Sequence, residues 1–146
     1  MKRFFQVLDR HFIREMHVWA IPVLRVALGI VFLWFGALKL LGVSPVVGLL
    51  ESAWSFMPTH AFVLILGVWE VLIGLGLLFK ITLRVTLLLL WLQMLGTFTT
   101  LLIAPHIAFV DNNPFLLTMT GEFIVKNFVL IAAGLVIGGF EIKKRP

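Results

Sequence analysis

Cysteine is absent from this 146-residue chain, and charged residues make up only 13% of it. Without cysteine, the chain has no disulfides, no thiol redox chemistry and no thiolate ligand for a metal. The scarcity of charge accompanies 61% hydrophobic residues and a mean hydropathy of +1.10. Because a soluble domain is only about half apolar, this composition predicts an integral membrane protein.

Acidic residues are few, seven against twelve lysines and arginines, which gives a formal net charge of +5. The basic residues lie at the ends of apolar runs rather than in one solvated patch. They therefore indicate membrane topology and not a nucleic-acid partner. We expect the chain to have the lipid bilayer as its partner and no nucleic acid.

Four apolar runs are long enough to cross a bilayer as helices. Together they predict an all-α fold, a polytopic transmembrane four-helix bundle. The transmembrane domain is expected to cover residues 19–146, with spans at about 19–41, 61–79, 83–104 and 123–140.

Residues 1–18 are predicted to form a separate N-terminal amphipathic interfacial helix. Phe5, Leu8, Phe12 and Met16 recur at helical spacing, while most of the basic residues lie on other faces. Such a segment would lie on the inner membrane surface and anchor the protein.

The first loop predicts a short outer interfacial helix. Ser44 and Pro45 suit the N-cap and first helical positions, and the apolar segment continues to Phe56. Trp54 is typical of an anchor at the membrane interface.

Lysine and arginine are distributed unevenly among the connecting segments, which predicts the orientation of the chain. They occur in the N-terminal segment, in the turn with Lys80 and Arg84, and in the tail, but not in loops 42–60 and 105–121. By the positive-inside rule, both termini are cytoplasmic and the two longer loops face outward.

Glu70 is the most informative single residue, because it lies in the middle of an otherwise uncharged apolar run. An ionisable side chain at that depth costs on the order of 3 kcal/mol by insertion scales, so it is usually paired, protonated or turned toward a cavity.

Polar and small residues form a stripe on each of the four spans. Small residues permit close helix contact and polar ones avoid lipid, so the stripes are expected to face the interior of the bundle. The stripes comprise Arg25, Gly29, Phe32, Gly36 and Lys39 in the first span, Gly67, Glu70 and Gly74 in the second, Gln93 with Thr86, Gly96, Thr97 and Thr100 in the third, and Lys126, Asn127, Gly134 and Gly138 in the fourth.

The predicted polar site is centred on Glu70 and opens outward. From the rise per residue of a helix, Gln93 is expected at about the same membrane depth as Glu70. Arg25 and Lys126 are expected on opposite sides of that depth, from which their side chains could reach Glu70. The candidate site residues are Glu70, Arg25, Lys39, Gln93, Lys126, Asn127 and Glu122.

Each of these residues also has a structural explanation. Arg25 and Lys39 can extend to the two membrane interfaces, and Glu122 and Lys126 can pair with each other four residues apart. Glu70 can be a structural ion-pair member or a protonated donor. Gln93 and Asn127 can form hydrogen bonds between helices.

No metal site is predicted. His60 and His106 are expected at the outer ends of their helices, but no third ligand at a suitable spacing accompanies them. The sequence also has no phosphate-binding glycine loop and no nucleophile motif.

Two pairs of segments resemble each other. Residues 24–26 match residues 83–85 at an offset of 59, and residues 71–77 match residues 129–135 in part at an offset of 58. Two tandem helical hairpins would produce this pattern, although chance matches are common in apolar sequence.

The chain resembles the DoxX-like family of small four-helix bacterial membrane proteins. The resemblance depends on Arg-(x)10-Gly-x-x-Lys-Leu over residues 25–40, on Gly67-x-x-Glu70 with the glycine-rich segment after it, and on residues 121–127. It implies a multi-pass protein of the bacterial cytoplasmic (inner) membrane, with Lys39 and Glu70 at family-like positions.

The resemblance also implies a function, since members of this family are associated with quinone-linked oxidoreductase assemblies, including a small subunit of a thiosulfate:quinone oxidoreductase, and with oxidative or reactive-chlorine stress. We therefore expect a membrane subunit or accessory protein that binds a quinone, has no covalently bound cofactor and is not an enzyme alone. A redox partner subunit would carry the electrons.

Two alternatives stay open, a carrier for a small molecule or ion and a non-catalytic scaffold that stabilises a membrane partner. The Gly134-x-x-x-Gly138 motif permits a homo-oligomer, but it serves equally for packing within one chain.

Overall fold

The computed structural model describes residues 2–44, 47–48 and 59–142. Its long helices are α1 (Lys2–Leu40), α2 (Thr59–Phe79), α3 (Leu83–Ile103) and α5 (Met119–Glu141), with the short helix α4 (Pro105–Ala108) and a 3-10 turn (Val110–Asn112) before α5. The four long helices have the length and composition to cross a membrane. The predicted all-α, four-span architecture is confirmed.

Helix α1 continues without interruption through Pro22, so the predicted segment 1–18 and the first span form one helix. Phe12, Met16 and Trp19 are exposed on the N-terminal half of α1. Contact of this half with a membrane surface stays a prediction. The predicted outer interfacial helix falls mostly on residues 45–46 and 49–58, which lie outside the described residues.

The long helices form a ring in which α1 and α3 each pack against both α2 and α5. We call the end of the bundle with residues 80–82 and Glu141 the turn end, and the end with residues 42–44 and 104–118 the loop end. Apolar side chains fill the middle of the bundle, and the core residues are Leu28, Phe32, Ile73, Leu77, Leu87, Leu90, Met94, Ala133 and Ile137.

Helices α1 and α2 approach each other closely because glycines meet at their interface. A Cβ atom on Gly36 would lie 2.7 Å from the carbonyl oxygen of Gly67, and one on Gly74 would lie 2.9 Å from that of Gly29. The two glycines on each helix are seven residues apart, so they lie on one face. The predicted inward glycine stripes are therefore in contact with each other.

Side chains make the contact between α3 and α5. A Cβ atom on Gly138 would lie 3.1 Å from Cδ1 of Leu87, and the rings of Phe98 and Phe128 have their centroids 4.6 Å apart. Helices α3 and α5 therefore pack through apolar and aromatic side chains, whereas α1 and α2 are in contact through their backbones.

The loop before α5 explains why that helix begins at Met119, earlier than the apolar run suggested. Thr118 is the N-cap, and its hydroxyl oxygen accepts a hydrogen bond from the Gly121 amide at 3.1 Å. The same hydroxyl donates to the Ile107 carbonyl and so connects α5 to α4. A Cβ atom on Gly121 would collide with the Ala108 carbonyl oxygen.

Replacing Gly36 by leucine should destabilise the bundle, since the new side chain would force α1 away from α2. We expect a cost of about 1–3 kcal/mol in the free energy of unfolding, measured by denaturation in detergent. Gly96→Leu is the matched control, because a Cβ at Gly96 meets nothing within 4 Å. Equal stability losses in the two variants would contradict the assigned helix contact.

Candidate intramembrane polar site

Lys39 and Glu70 form an ion pair inside the bundle. The Lys39 Nζ atom lies 2.6 Å from Oε2 of Glu70, and the two residues are only 5% and 7% exposed. In a helix, side chains lean toward the N-terminus. Because α1 and α2 run in opposite directions, the side chains of Lys39 and Glu70 lean toward each other. The close glycine contact between the helices then brings the charged groups within bonding distance.

Gln93 on α3 completes this group. Its Nε2 atom donates a hydrogen bond to Oε1 of Glu70 at 2.6 Å, so each carboxylate oxygen has a donor. Within the described part of the chain, the buried Oε1 atom of Gln93 has no hydrogen-bond donor. We call Lys39, Glu70 and Gln93 the acid–amine group. It connects three of the four long helices.

The carboxylate of Glu70 is therefore compensated rather than isolated. Each unpaired charge in a low-dielectric interior is costly, and a close opposite charge with further hydrogen bonds offsets that cost. The acid–amine group can hold a proton, shift it between nitrogen and oxygen, and offer the Gln93 oxygen to a hydrogen-bond donor.

Arg25 lies at the turn end, and the expectation that it reaches Glu70 is wrong. Its Nε atom is 2.9 Å from Oε2 of Glu141, and its guanidinium donates to the carbonyl oxygens of Leu77 and Leu78. Leu77 follows Glu70 by seven residues, which is about 10 Å along α2. The guanidinium is therefore held well away from the Glu70 carboxylate.

Glu141 is a residue that the sequence analysis missed. Its second oxygen, Oε1, lies 2.9 Å from Nζ of Lys80, so one carboxylate binds two cations. We call Arg25, Lys80 and Glu141 the turn-end ion cluster. Two spans separate the turn after the second span from the end of the fourth, so the topology predicts that Lys80 and Glu141 lie at the same side but does not predict that they pair.

Glu122 and Lys126 pair with each other on the outside of α5, not with Glu70. Their charged atoms are 3.4 Å apart, and their side chains are 58% and 65% exposed. The Lys126 ammonium also lies 5.3 Å from the ring centroid of Phe123. Asn127 is half-buried and is not among the partners of Glu70.

A cavity of about 160 Å³ lies at the loop end directly beside the acid–amine group. Lys39 belongs to both, since it lines this cavity and binds Glu70. Among the described residues the lining is mainly aliphatic, with His60 as the ionisable residue besides Lys39. In the described residues, no group of three or more histidine, cysteine or acidic side chains could hold a metal ion.

The fold and this site define a four-span helical membrane protein with an acid–amine pair buried in its bundle. The chain belongs to the DoxX family, whose model matches residues 20–103. The matched region contains the whole acid–amine group and Arg25, and it ends before Glu141. No curated protein and no solved structure matches the chain.

Replacing Lys39 by methionine should leave the Glu70 carboxylate buried without a cation. We expect the free energy of unfolding to fall by about 3–5 kcal/mol, and we expect most of that loss to be recovered when Glu70→Leu is added. Lys126→Met, which breaks an exposed pair, should cost less than about 1 kcal/mol.

Denaturation of the unmodified protein, the single variants Lys39→Met, Glu70→Leu and Lys126→Met, and the double variant in the same detergent measures these differences. Additive losses from Lys39→Met and Glu70→Leu would show that the two side chains do not depend on each other and would contradict the ion pair.

Proposed function

We propose that this DoxX protein is a small membrane subunit or accessory of a quinone-linked redox assembly. The observation that supports the proposal most directly is the acid–amine group, in which a buried carboxylate has two donors and a neighbouring amide oxygen has none among the described residues. Buried ionisable groups inside membrane bundles often mark sites of ligand binding or proton transfer.

The residues of this group match the needs of a quinone site. Conversion of a quinone to a quinol takes two electrons and two protons. Glu70 would exchange the two protons one after the other at its carboxylate, and Lys39 would compensate its charge. The unpartnered oxygen of Gln93 would accept a hydrogen bond from a quinol hydroxyl.

The electrons would come from a partner subunit, because the chain has no cysteine to relay them. The basic residues near the turn end support an orientation with this end in the cytoplasm of a bacterial cell, where a soluble or membrane-bound redox partner could dock. The protein would then contribute the membrane binding site and the proton exchange.

Glu70→Gln keeps the size of the side chain but removes its charge. We expect this change to weaken quinone binding to the purified protein by about tenfold or more, which is the loss expected for one charge-assisted hydrogen bond of about 1.5–3 kcal/mol. Quinol-linked respiration in membranes should fall with it. Glu122→Gln is the matched control on an exposed carboxylate and should leave both unchanged.

Unchanged binding and respiration in the Glu70→Gln variant, at normal protein levels, would overturn the proposal. A loss of protein abundance without a quinone effect would favour the scaffold function. Movement of a solute into liposomes that depends on Glu70 would favour the carrier function.

A further inference from the structure

The two sides of the acid–amine group differ in their surroundings. Toward the loop end, Lys39 borders the cavity with Val63, Leu64 and His60. At about 30 Å³ per molecule, its volume of about 160 Å³ holds on the order of five waters. His60 lines the same cavity and is exposed at the start of α2. We call this cavity the vestibule.

Toward the turn end, the same group faces a layer of buried apolar side chains, which we call the dry layer. The five largest fully buried side chains of the described residues all lie between the acid–amine group and the turn-end ion cluster. They are Ile73, Leu77, Leu87, Leu90 and Ile137. Cores packed from such side chains have few voids that can hold water.

From this asymmetry we infer that the acid–amine group exchanges protons and water only with the loop end, through the vestibule beside Lys39 and His60. Glu70 takes up a proton from vestibule water and releases it by the same route. The inference rests on the proposed function in that Glu70 is the group that exchanges the proton.

The vestibule also explains how the protonated state is accommodated. When Glu70 becomes neutral, the Lys39 ammonium loses its counter-charge, and vestibule water can solvate it. The amide of Gln93 can then rotate so that its oxygen accepts the new Glu70 O–H, which satisfies the acceptor that has no donor in the ionised state.

Because the chain has no cysteine, single cysteines can report access to each side of the group. We expect Leu64→Cys, in the vestibule, to react with a charged, membrane-impermeant thiol reagent added at the loop-end side of oriented vesicles. Ile73→Cys, in the dry layer, should stay unmodified from both sides. Leu72→Cys is the control for exposure to lipid: it is adjacent to Ile73 and 55% exposed, and the charged reagent should also leave it unmodified, so that labelling of Leu64→Cys reports access to water.

A second measurement follows Glu70 directly, through its modification by a water-soluble carbodiimide and mass spectrometry. Val63→Trp fills the vestibule and should slow this modification at least tenfold. Val68→Trp makes the same change at a position of α2 that is 49% exposed, and it should have no effect.

Modification of Ile73→Cys from the turn-end side, or equal carbodiimide rates in the two tryptophan variants, would overturn the one-sided route. Those results are independent of quinone binding. Loop-end labelling as expected, together with no quinone binding by the unmodified protein, would overturn the proposed function and leave the route intact.

Discussion

The backbone contact between α1 and α2 is the constraint on which the polar site depends. Gly36 and Gly67 have no side chains, and a side chain at either position would hold the two helices apart. Lys39 and Glu70 each follow one of these glycines by three residues, so they lie on the same faces. The close approach then lets a lysine and a glutamate from antiparallel helices meet at 2.6 Å. A membrane offers little hydrophobic force between helices, so such packing contributes much of their association.

Two groups of charged side chains lie at different levels along the bundle. The acid–amine group connects α1, α2 and α3, and the turn-end ion cluster connects α1 to the turn after α2 and to the end of α5. An apolar layer separates them. In a low-dielectric interior, each group has to compensate its own charge locally, which is why both pair acids with bases at short distances.

The apolar runs and the stripes predicted the four helices and the inward faces, because hydropathy and helical period are local properties of the sequence. Glu70, Lys39 and Gln93 were all recognised as candidates for the same reason. Their partners were harder to predict, since depth estimated from helical rise does not specify which side chains lean toward each other. Arg25 was therefore assigned to Glu70, and Glu141 was missed because it lies just beyond the last apolar run. The hydrogen bond from the Thr118 hydroxyl to the Ile107 carbonyl likewise joins residues eleven apart, which no local pattern indicates.

The ring contact between Phe98 and Phe128 has a consequence for the internal repeat. At the 59-residue offset between the first and third spans, Phe98 is the equivalent of Lys39. At the 58-residue offset between the second and fourth spans, Phe128 is the equivalent of Glu70. The two hairpins thus make the same pairwise contact, once with opposite charges and once with aromatic rings. The repeat equivalents of the four interface glycines are Leu88, Leu95, Val125 and Ala132. The α1–α2 hairpin therefore has glycines and an ion pair at positions where the α3–α5 hairpin has apolar and aromatic side chains.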